Sequence, residues 1–250
     1  MKILILGGTR FLGKKILDKL LDSDNNDIWV ISRRNLLVKS KIHFLNMERK
    51  NGINSLKNKI FDLTIDFIAY EKTDIFDIHL KINSKKYIFI STTWITRLWD
   101  GNIANEFKSI NLKNMHLPEI TKRYLMGKYE CEEFIINLIK EGFNAKIIRF
   151  PIILGEGDHT GRLEFYLERI LDNQPLIQIK DINNKIQVSC VKNIASAFIE
   201  WIEICDKFPI NVWEALPGDG IKSKDLIKSF AFSLDKEVKF IDIPKTQLEK

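Results

Sequence analysis

Short apolar runs alternate with amphipathic segments along the first 150 residues, and this alternation limits the folds open to the chain. Strands are predicted for the apolar runs at residues 2–6, 27–32, 41–45, 61–69, 86–91 and 145–150. Their Ile, Val, Leu and Phe residues are too continuous for strands with one wet face, so helices should cover both faces. Strands that alternate with helices connect by right-handed crossovers. The sequence therefore predicts an α/β protein with a doubly wound parallel sheet.

Helical spacing of apolar residues predicts helices near residues 12–21 and 124–139, and the pattern changes after residue 150. A Gly-rich loop (GEGDHTGR), an amphipathic helix near residues 163–171 and a polar, hairpin-like stretch follow there. A further strand and helix then lead back towards the sheet. We therefore predict two domains. The main domain comprises residues 1–150 and 185–208, and a small C-terminal cap comprises residues 151–184 and 209–250.

Composition narrows the class of partner and the compartment. The 250 residues include 39 Lys and Arg against 33 Asp and Glu, so the net charge is +6. These charges are interspersed, which is typical of a solvated surface and does not favour nucleic acid as a partner. Apolar runs fall short of the roughly 18 to 20 residues that span a bilayer, so we expect no membrane contact. Three cysteines without metal-ligand or C-x-x-C spacing predict free thiols, no metal and a cytoplasmic location.

The sequence LGGTRFLG, at residues 6–13, follows the first predicted strand and opens the first helix. Gly7 would permit the tight turn, and Gly13 would let the helix pack closely on the strand. The free N–H groups of a helix N-terminus can hold a pyrophosphate, so the turn predicts a dinucleotide site. Arg10 stands where such patterns often have a middle glycine. Arg10 would either place a cation beside a phosphate or alter the local packing.

The second predicted strand ends in Ser32, Arg33 and Arg34, where dinucleotide sites that prefer NAD have an acid. An acid would accept the bond from the ribose 2′-hydroxyl, whereas guanidinium groups suit the 2′-phosphate of NADP. NADP(H) is therefore preferred, and NAD(H) stays possible. The alternative is that both arginines are solvated loop residues.

Tyr124 and Lys128 are four residues apart in a predicted helix and so share one face of it. An ammonium beside a phenol favours the phenolate, which lowers the tyrosine pKa towards the working pH of a general acid. A strand at residues 87–94 precedes this helix and ends in the hydroxyl cluster Ser91, Thr92 and Thr93. The Tyr–Lys spacing alone decides nothing, and what distinguishes this pair is the hydroxyl cluster that precedes it.

With these motifs, nearly the whole chain resembles the extended or atypical short-chain dehydrogenases/reductases of the NAD-dependent epimerase/dehydratase type. Among them it is most similar to nucleotide-sugar 4-ketoreductases. The resemblance implies a Rossmann domain and a cap that binds substrate. It assigns catalysis to Tyr124, Lys128 and Thr93, with Ser91 and Thr92 close enough to exchange roles with Thr93. Glu132 follows where the family often has an acid.

The resemblance also implies ligand-binding residues, which lie at the ends of the predicted strands and in the cap. The cofactor would contact Gly7, Thr9, Arg10, Phe11, Leu12, Gly13, Ser32, Arg33, Arg34, Asn46, Met47, Ala69, Tyr70, Ser91, Lys128, Phe150, Pro151 and Ile153. The substrate would contact Thr93, Trp94, Arg97, Arg162 and Gln187.

The implied activity is the NADPH-dependent reduction of the keto group of a nucleotide-linked sugar, such as a dTDP-4-keto-6-deoxyhexose, with Tyr124 as proton donor. The nearest alternative is a nucleotide-sugar epimerase. A different class of alternative is a non-catalytic NADP-binding regulator or RNA-binding protein on the same fold, since a fold does not fix a function. A homodimer is possible, although residues 71–86 leave little room for the long helix that many relatives use to dimerise.

Overall fold

A computed structural model describes residues 1–35, 42–96, 117–179 and 185–244. Within these ranges, no helix is long and apolar enough to cross a membrane. The chain divides into two compact units. The first comprises Met1–Pro151 and Lys192–Ala215, and the second comprises Ile152–Val191 and Leu216–Lys250. Residues 185–191 thus lie in the second unit and residues 209–215 in the first, a division that differs there from the predicted boundaries.

The strands are short, as the apolar runs predict, and those in the first unit build one sheet. In chain order the described strands are β1 (Lys2–Leu6), β2 (Asp27–Ser32), β3 (Ile42–Asn46), β4 (Ile60–Phe61), β5 (Leu63–Asp66), β6 (Asn83–Ser84), β7 (Tyr87–Thr92), β8 (Ala145–Phe150), β9 (Ile152–Leu154), β10 (Leu176–Ile179), β11 (Lys185–Ile186), β12 (Val188–Cys190), β13 (Val212–Glu214), β14 (Ile221–Lys222) and β15 (Phe240–Ile243).

Seven of these strands form the main sheet in the order β13-β8-β7-β5-β1-β2-β3. Every neighbouring pair in it is parallel. Ile3, Leu4, Ile5 and Leu6 of the central strand β1 are fully buried, which is why that run is apolar on both faces. The predicted doubly wound parallel sheet is confirmed, and it brings the carboxyl ends of β1, β5 and β7 to one edge.

The helices connect these strands. They are α1 (Phe11–Leu21), α2 (Arg49–Ser55), α3 (Lys72–Lys81), α4 (Glu119–Lys140), α5 (Arg162–Leu171), α6 (Val191–Ile204) and α7 (Ser223–Ser233). Helix α1 buries Leu12, Ile16 and Leu20, which recur every four residues and so form one stripe. Helices α2 and α3 were not predicted, because each is short and buries only a few side chains.

The single strand predicted for residues 61–69 is wrong at both ends. Strand β4 ends at Phe61, since the next residue, Asp62, turns its carboxylate to accept a 2.8 Å bond from the backbone N–H of Lys2. Strand β5 ends at Asp66, whose Oδ1 accepts a 3.0 Å bond from the N–H of Ile68. The local bond of Asp66 competes with the ladder, and Asp62 bonds the backbone of β1, so the two carboxylates divide this apolar run.

Asp66 is also the centre of a polar network inside the core of the first unit. Its fully buried carboxylate accepts two bonds from the Arg49 guanidinium, at 2.8 and 2.6 Å. The Tyr87 hydroxyl donates a third bond at 2.8 Å. Burial and the Asp66 charge raise the pKa of Tyr87 well above its usual value, so this phenol stays a donor. The network ties α2 to β5 and β7.

The second unit is built from paired short strands and two helices. β9 pairs with β12 and β10 with β15 in parallel, while β11 and β14 are antiparallel. Ile170 and Ile227 of α5 and α7 pack with Leu176 in a small core. The hairpin-like interpretation of the stretch after α5 is wrong, because β10 pairs with the distant β15.

Candidate active site

The glycine turn after β1 is shaped by contacts that leave no room for side chains. Gly7 and Gly8 have φ values of 86° and 75°, in the left-handed region that favours glycine. A Cβ on Gly7 would lie 2.7 Å from Ile68 Cγ2, and one on Gly13 would lie 2.5 Å from the Cα of Gly8. The turn and the start of α1 therefore pack as closely as a dinucleotide-binding turn requires.

Helix α1 begins at Phe11 with no side-chain cap and no acid in its first turn. Its first N–H groups thus lack a side-chain acceptor, and an anion such as a pyrophosphate would suit them. Arg10 precedes the helix with an extended backbone (φ −135°), so glycine is not needed there for conformation. Its side chain is exposed. These residues fit the phosphates of a dinucleotide.

The end of β2 presents hydroxyl and guanidinium groups. The Ser32 and Thr9 hydroxyls lie 2.9 Å apart, and Ser32 Oγ also accepts a 3.3 Å bond from the N–H of Arg34. Arg33 and Arg34 are exposed, and Arg33 Nη1 lies 3.7 Å from Glu48 Oε1. An exposed pair of this length holds the side chain weakly, so Arg33 can turn towards a ligand.

Asn46 and Met47 follow β3 beside this strand end. The N–H of Met47 donates a 3.1 Å bond to the Ser32 carbonyl. The Asn46 side chain contacts that of Asn35, one residue beyond Arg34. Both residues thus lie next to the place where an adenosine ribose would bind if the dinucleotide prediction holds.

Tyr124 and Lys128 lie one turn apart on α4 and differ sharply in exposure. The Tyr124 side chain is 39% exposed, whereas Lys128 is only 3% exposed. The Lys128 ammonium donates bonds of 2.9 and 2.8 Å to the carbonyls of Ala69 and Ile90. Two of its three protons are thereby used, which leaves one donor for a ligand such as a ribose hydroxyl.

Aromatic rings surround the Lys128 ammonium. Nζ lies 4.9 Å from the centroid of the Tyr70 ring and 4.6 Å from that of the Phe89 ring. The Tyr70 and Tyr124 ring centroids are 6.2 Å apart. Tyr70 is 48% exposed, and the partial burial of its ring together with the charges of Asp66 and Asp74 raises the pKa of its phenol, which stays neutral. The Tyr70 ring therefore lies close to both the Lys128 ammonium and the Tyr124 ring.

Burial lowers the pKa of Lys128 from its usual 10.5 to about 8, although the nearby Asp66 charge opposes the shift. A lysine with this pKa exchanges its proton close to neutral pH. Among described residues, no group of three or more His, Cys, Asp and Glu side chains could hold a metal ion there or elsewhere.

The Lys128 pKa predicts how stability depends on pH. Between pH 8 and about 10.5 the folded chain has released a proton that the unfolded chain still binds, so the free energy of unfolding rises with pH. Relative to Lys128→Met, the natural chain should gain up to about 3 kcal/mol across this range. Urea unfolding of both proteins at several pH values measures this gain. A difference independent of pH would contradict the lowered pKa.

The three hydroxyls at the end of β7 differ in whether they bond other described residues. Ser91 Oγ donates a 2.5 Å bond to Glu132 Oε1, and Thr92 Oγ1 accepts a 3.3 Å bond from the N–H of Trp94. Thr93 is 8% exposed, and its N–H donates a 3.0 Å bond to the Phe150 carbonyl. Its hydroxyl makes no bond to another described residue. Thr93 is thus the member of the cluster best placed to bind a substrate oxygen.

A buried ion network lies below these hydroxyls. Arg149 Nη2 contacts Glu132 Oε2 at 2.6 Å, and both side chains are almost fully buried. Arg149 Nη1 contacts Glu214 at 3.1 Å, and Thr96 donates to the same carboxylate. The network joins α4, β8 and β13. We did not single out Arg149 from the sequence, although a charge between Ile148 and Phe150 in a buried strand was a signal.

Gly127 separates Tyr124 from Lys128 and lets α4 approach the loop after β5. A Cβ at this position would lie 2.0 Å from the Tyr70 carbonyl oxygen. The close approach brings the Ala69 carbonyl within reach of Lys128. Glycine is unfavourable inside a helix, so its presence there was a signal of close packing that we did not use.

Gly127→Ala should therefore destabilise the chain, although the same change in an unobstructed helix stabilises by up to about 1 kcal/mol. We expect a loss of about 1–3 kcal/mol in the free energy of unfolding, as for other overpacked sites. Glu133→Ala, at an exposed position of the same helix, is the matched control and should change it by less than about 0.5 kcal/mol. If Gly127→Ala stabilises the chain, the loop after β5 moves away from the added methyl group at little cost, and the close contact does not require glycine.

The remaining predicted residues lie in several places. Phe150 and Pro151 are buried at the end of β8, and Trp94 is 38% exposed. In the second unit, Ile153 is half-buried in β9 and Arg162 is exposed at the start of α5. Gln187 Nε2 donates a 2.9 Å bond to Gly218, while its Oε1 is buried without a partner among described residues. Arg97 lies outside the described residues.

Known proteins resemble this chain in fold and, more weakly, in sequence. No family model matches it. A curated protein of Methanocaldococcus jannaschii, provisionally named UDP-glucose 4-epimerase, is 24% identical over 228 residues, which cover 78% of this chain and 71% of that protein.

Several similar solved structures cover 98% of this chain, among them the following two. UDP-glucuronic acid 4-epimerase of Bacillus cereus, with NAD and a UDP sugar, has a TM-score of 0.75 at 15% identity over 86% of that chain. DesIV, a dTDP-glucose 4,6-dehydratase of Streptomyces venezuelae, has a TM-score of 0.72 at 13% identity over 84% of that chain. At these identities the solved structures show a shared fold, and the match to the M. jannaschii protein is in line with the resemblance drawn from the motifs.

Proposed function

We propose that this chain is an NAD(P)-dependent enzyme that modifies the sugar of a nucleotide sugar, and that it reduces a 4-keto group with NADPH. The observation that carries the proposal is the Tyr124–Lys128 pair on α4, with the Lys128 ammonium bound at the carboxyl ends of β5 and β7. Relatives named as UDP-sugar 4-epimerases and a dTDP-sugar dehydratase support the substrate class. A retained tyrosine and lysine favour catalysis over a purely regulatory role.

The chain's own residues would divide the work between binding and proton transfer. The dinucleotide, when bound, supplies the hydride. The Thr93 hydroxyl and the Tyr124 phenol hold the carbonyl oxygen, and Tyr124 gives its proton to the oxygen as negative charge develops there. The Lys128 ammonium holds a ribose hydroxyl with its remaining donor and favours the phenolate of Tyr124.

The preference for NADP(H) rests on the end of β2, where Ser32 occupies the place of an acid and Arg33 and Arg34 are exposed. Two guanidinium groups can pair with a 2′-phosphate. Glu48 lies beside Arg33, and the B. cereus and S. venezuelae structures hold NAD, so NAD(H) is the second candidate cofactor. Titrating the protein with NADPH and NADH, followed by nicotinamide fluorescence, separates the two. In Arg33→Ala/Arg34→Ala, the affinity for NADPH should fall and that for NADH should not.

Reduction and 4-epimerisation differ in what happens to the hydride. A reductase consumes one NADPH for each keto sugar, whereas an epimerase returns the hydride to the same sugar and consumes no cofactor. The M. jannaschii relative and the B. cereus structure keep the epimerase as a second candidate.

One experiment distinguishes these outcomes. The protein is incubated with dTDP-, UDP- and GDP-4-keto sugars and NADPH, and separately with UDP-glucose and NAD. Loss of nicotinamide absorbance with one keto sugar supports the reductase, and conversion of UDP-glucose to its 4-epimer without such loss supports the epimerase. Dinucleotide binding with neither reaction would overturn the enzymatic proposal and favour a regulator. Salt-sensitive RNA binding would favour an RNA-binding protein.

A further inference from the structure

The loop between β5 and α3, residues 67–71, carries two groups of the candidate site. The Ala69 carbonyl accepts a 2.9 Å bond from the Lys128 ammonium, and the centroid of the Tyr70 ring lies 4.9 Å from Nζ. The Tyr70 and Tyr124 ring centroids are 6.2 Å apart. The position of this loop therefore sets part of the surroundings of both Tyr124 and Lys128.

Two carboxylates hold the backbone of this loop. Asp66 Oδ1 accepts a 3.0 Å bond from the N–H of Ile68, and Asp74 Oδ2 accepts a 2.8 Å bond from the N–H of Tyr70. One carboxylate thus precedes the loop and the other follows it. Together they fix the backbone on both sides of the Ala69 carbonyl.

The Arg49 guanidinium joins these two carboxylates. Besides its two bonds to Asp66, its Nε lies 3.3 Å from Asp74 Oδ1, and its Nη2 donates a 3.0 Å bond to the Asp74 carbonyl. The Arg49 side chain is only 11% exposed. The planar guanidinium binds a carboxylate with two parallel bonds, which fixes its orientation. Arg49 therefore couples the two ends of the loop.

The loop also fits tightly between the glycine turn and α4. A Cβ on Gly7 would lie 2.7 Å from Ile68 Cγ2, and one on Gly127 would lie 2.0 Å from the Tyr70 carbonyl oxygen. A displaced loop would therefore disturb the contacts of both the dinucleotide turn and the catalytic helix.

We propose that Arg49 is a positioning residue, which holds Asp66 and Asp74 together and so keeps the loop at residues 67–71 against Lys128 and Tyr124. This inference deepens the proposed function and rests on it, because the roles of Tyr124 and Lys128 come from there. A lysine at position 49 could not replace the arginine. A single ammonium cannot make the bidentate pair with Asp66 and also contact Asp74.

The pKa of Lys128 reports on the loop without any ligand. Burial is the largest cause of its lowered value of about 8. Water that enters beside a loosened loop would replace the Ala69 carbonyl as acceptor and reduce this burial, so the pKa should rise. The titratable and charged groups around the ammonium are Asp66, Cys131, Glu132, Arg49 and Tyr70.

Arg49→Lys keeps the positive charge but loses the planar group that reaches both carboxylates. We expect the pKa of Lys128 to rise from about 8 by at least about 0.5. NMR titration of protein with isotope-labelled lysine measures this value, and the spectrum of Lys128→Met identifies the resonance. Arg169→Lys is the matched control. Arg169 also makes two bonds, both to the carbonyl of Pro175 in the second unit, and its replacement should leave the pKa of Lys128 unchanged.

Asp74→Ala is a second variant, which is needed if Arg49→Lys does not fold. It removes one end of the Arg49 contact and leaves the buried bidentate pair intact. Loss of the Asp74 charge by itself would lower the pKa of Lys128, so a rise would report the loop and not the charge. Asp77→Ala, which breaks an ion pair within the same helix, is the control and should cause no rise.

Circular dichroism establishes which variants fold. A higher Lys128 pKa in Arg49→Lys and Asp74→Ala, but in neither control, supports the proposal. A folded Arg49→Lys or Asp74→Ala whose Lys128 pKa stays unchanged would overturn it, and so would an equal rise in a control. The titration uses neither a dinucleotide nor a sugar. Failure of the enzymatic proposal appears instead as absent turnover in the natural chain, so the two failures are distinguishable.

Discussion

Tyr124→Phe should lower turnover by about 10²- to 10⁴-fold, the usual contribution of a general acid, while the fold and dinucleotide affinity stay unchanged. The change removes the one proton that the phenol would give to the substrate oxygen. The ring remains, so its packing beside Tyr70 is kept. Turnover under saturating NADPH and sugar, together with the thermal unfolding midpoint, measures both effects.

Tyr166→Phe provides the matched control. Tyr166 is a half-buried tyrosine that packs on the small core of the second unit, whereas Tyr124 and Lys128 belong to the first. Loss of the Tyr166 hydroxyl should leave turnover within about twofold of that of the natural chain, a difference of roughly 0.4 kcal/mol in activation free energy. If Tyr124→Phe also retains full turnover with folding intact, another group donates the proton and the assignment of Tyr124 is wrong.

Glu132→Ala should cost about 3–5 kcal/mol of stability, because it leaves the Arg149 guanidinium buried with only part of its partners. Arg149 makes three bonds to the Glu132 carboxylate, at 3.0, 3.2 and 2.6 Å. Glu214 is partly exposed and keeps a single contact with Arg149. Urea unfolding at neutral pH measures the loss.

Two further variants make the Glu132 result interpretable. Asp18→Ala breaks the exposed pair with Lys14 and should cost less than about 1 kcal/mol. Glu132→Gln keeps one acceptor oxygen, but it removes the charge and turns the second oxygen into an NH2 donor, so its loss should lie between the other two. Similar losses for all three variants would mean that the buried pair adds no more than a surface pair.

Local patterns of apolar residues in the sequence predicted much of the fold. The runs around β1, β2, β7 and β8 are apolar on both faces, and the structure places all four in one parallel sheet. Errors arose where tertiary contacts decide, as at Asp62, whose carboxylate accepts a bond from the backbone N–H of the distant Lys2. The partner of β10 lies about sixty residues further along the chain, and no local pattern indicates such a pairing.

The candidate site was predictable only where spacing along the chain fixes neighbours in space. Tyr124 and Lys128 share a helix face by their spacing alone. The division of the hydroxyls between Ser91 and Thr93 depends on which one meets Glu132, a contact between residues 41 positions apart. The obstruction at Gly127 depends on the loop after β5. Neither contact leaves a pattern in the order of residues.

Lys128 connects two strands where their own pairing stops. β5 and β7 pair as far as Asp66 and Phe89, and beyond that point one ammonium bridges the carbonyls of Ala69 and Ile90. The lysine thus continues the sheet with a side chain in place of backbone N–H groups. Each replacement of Lys128 therefore also weakens the sheet edge on which the candidate site lies. A mutational survey that measures activity alone would attribute this structural loss to catalysis by Lys128.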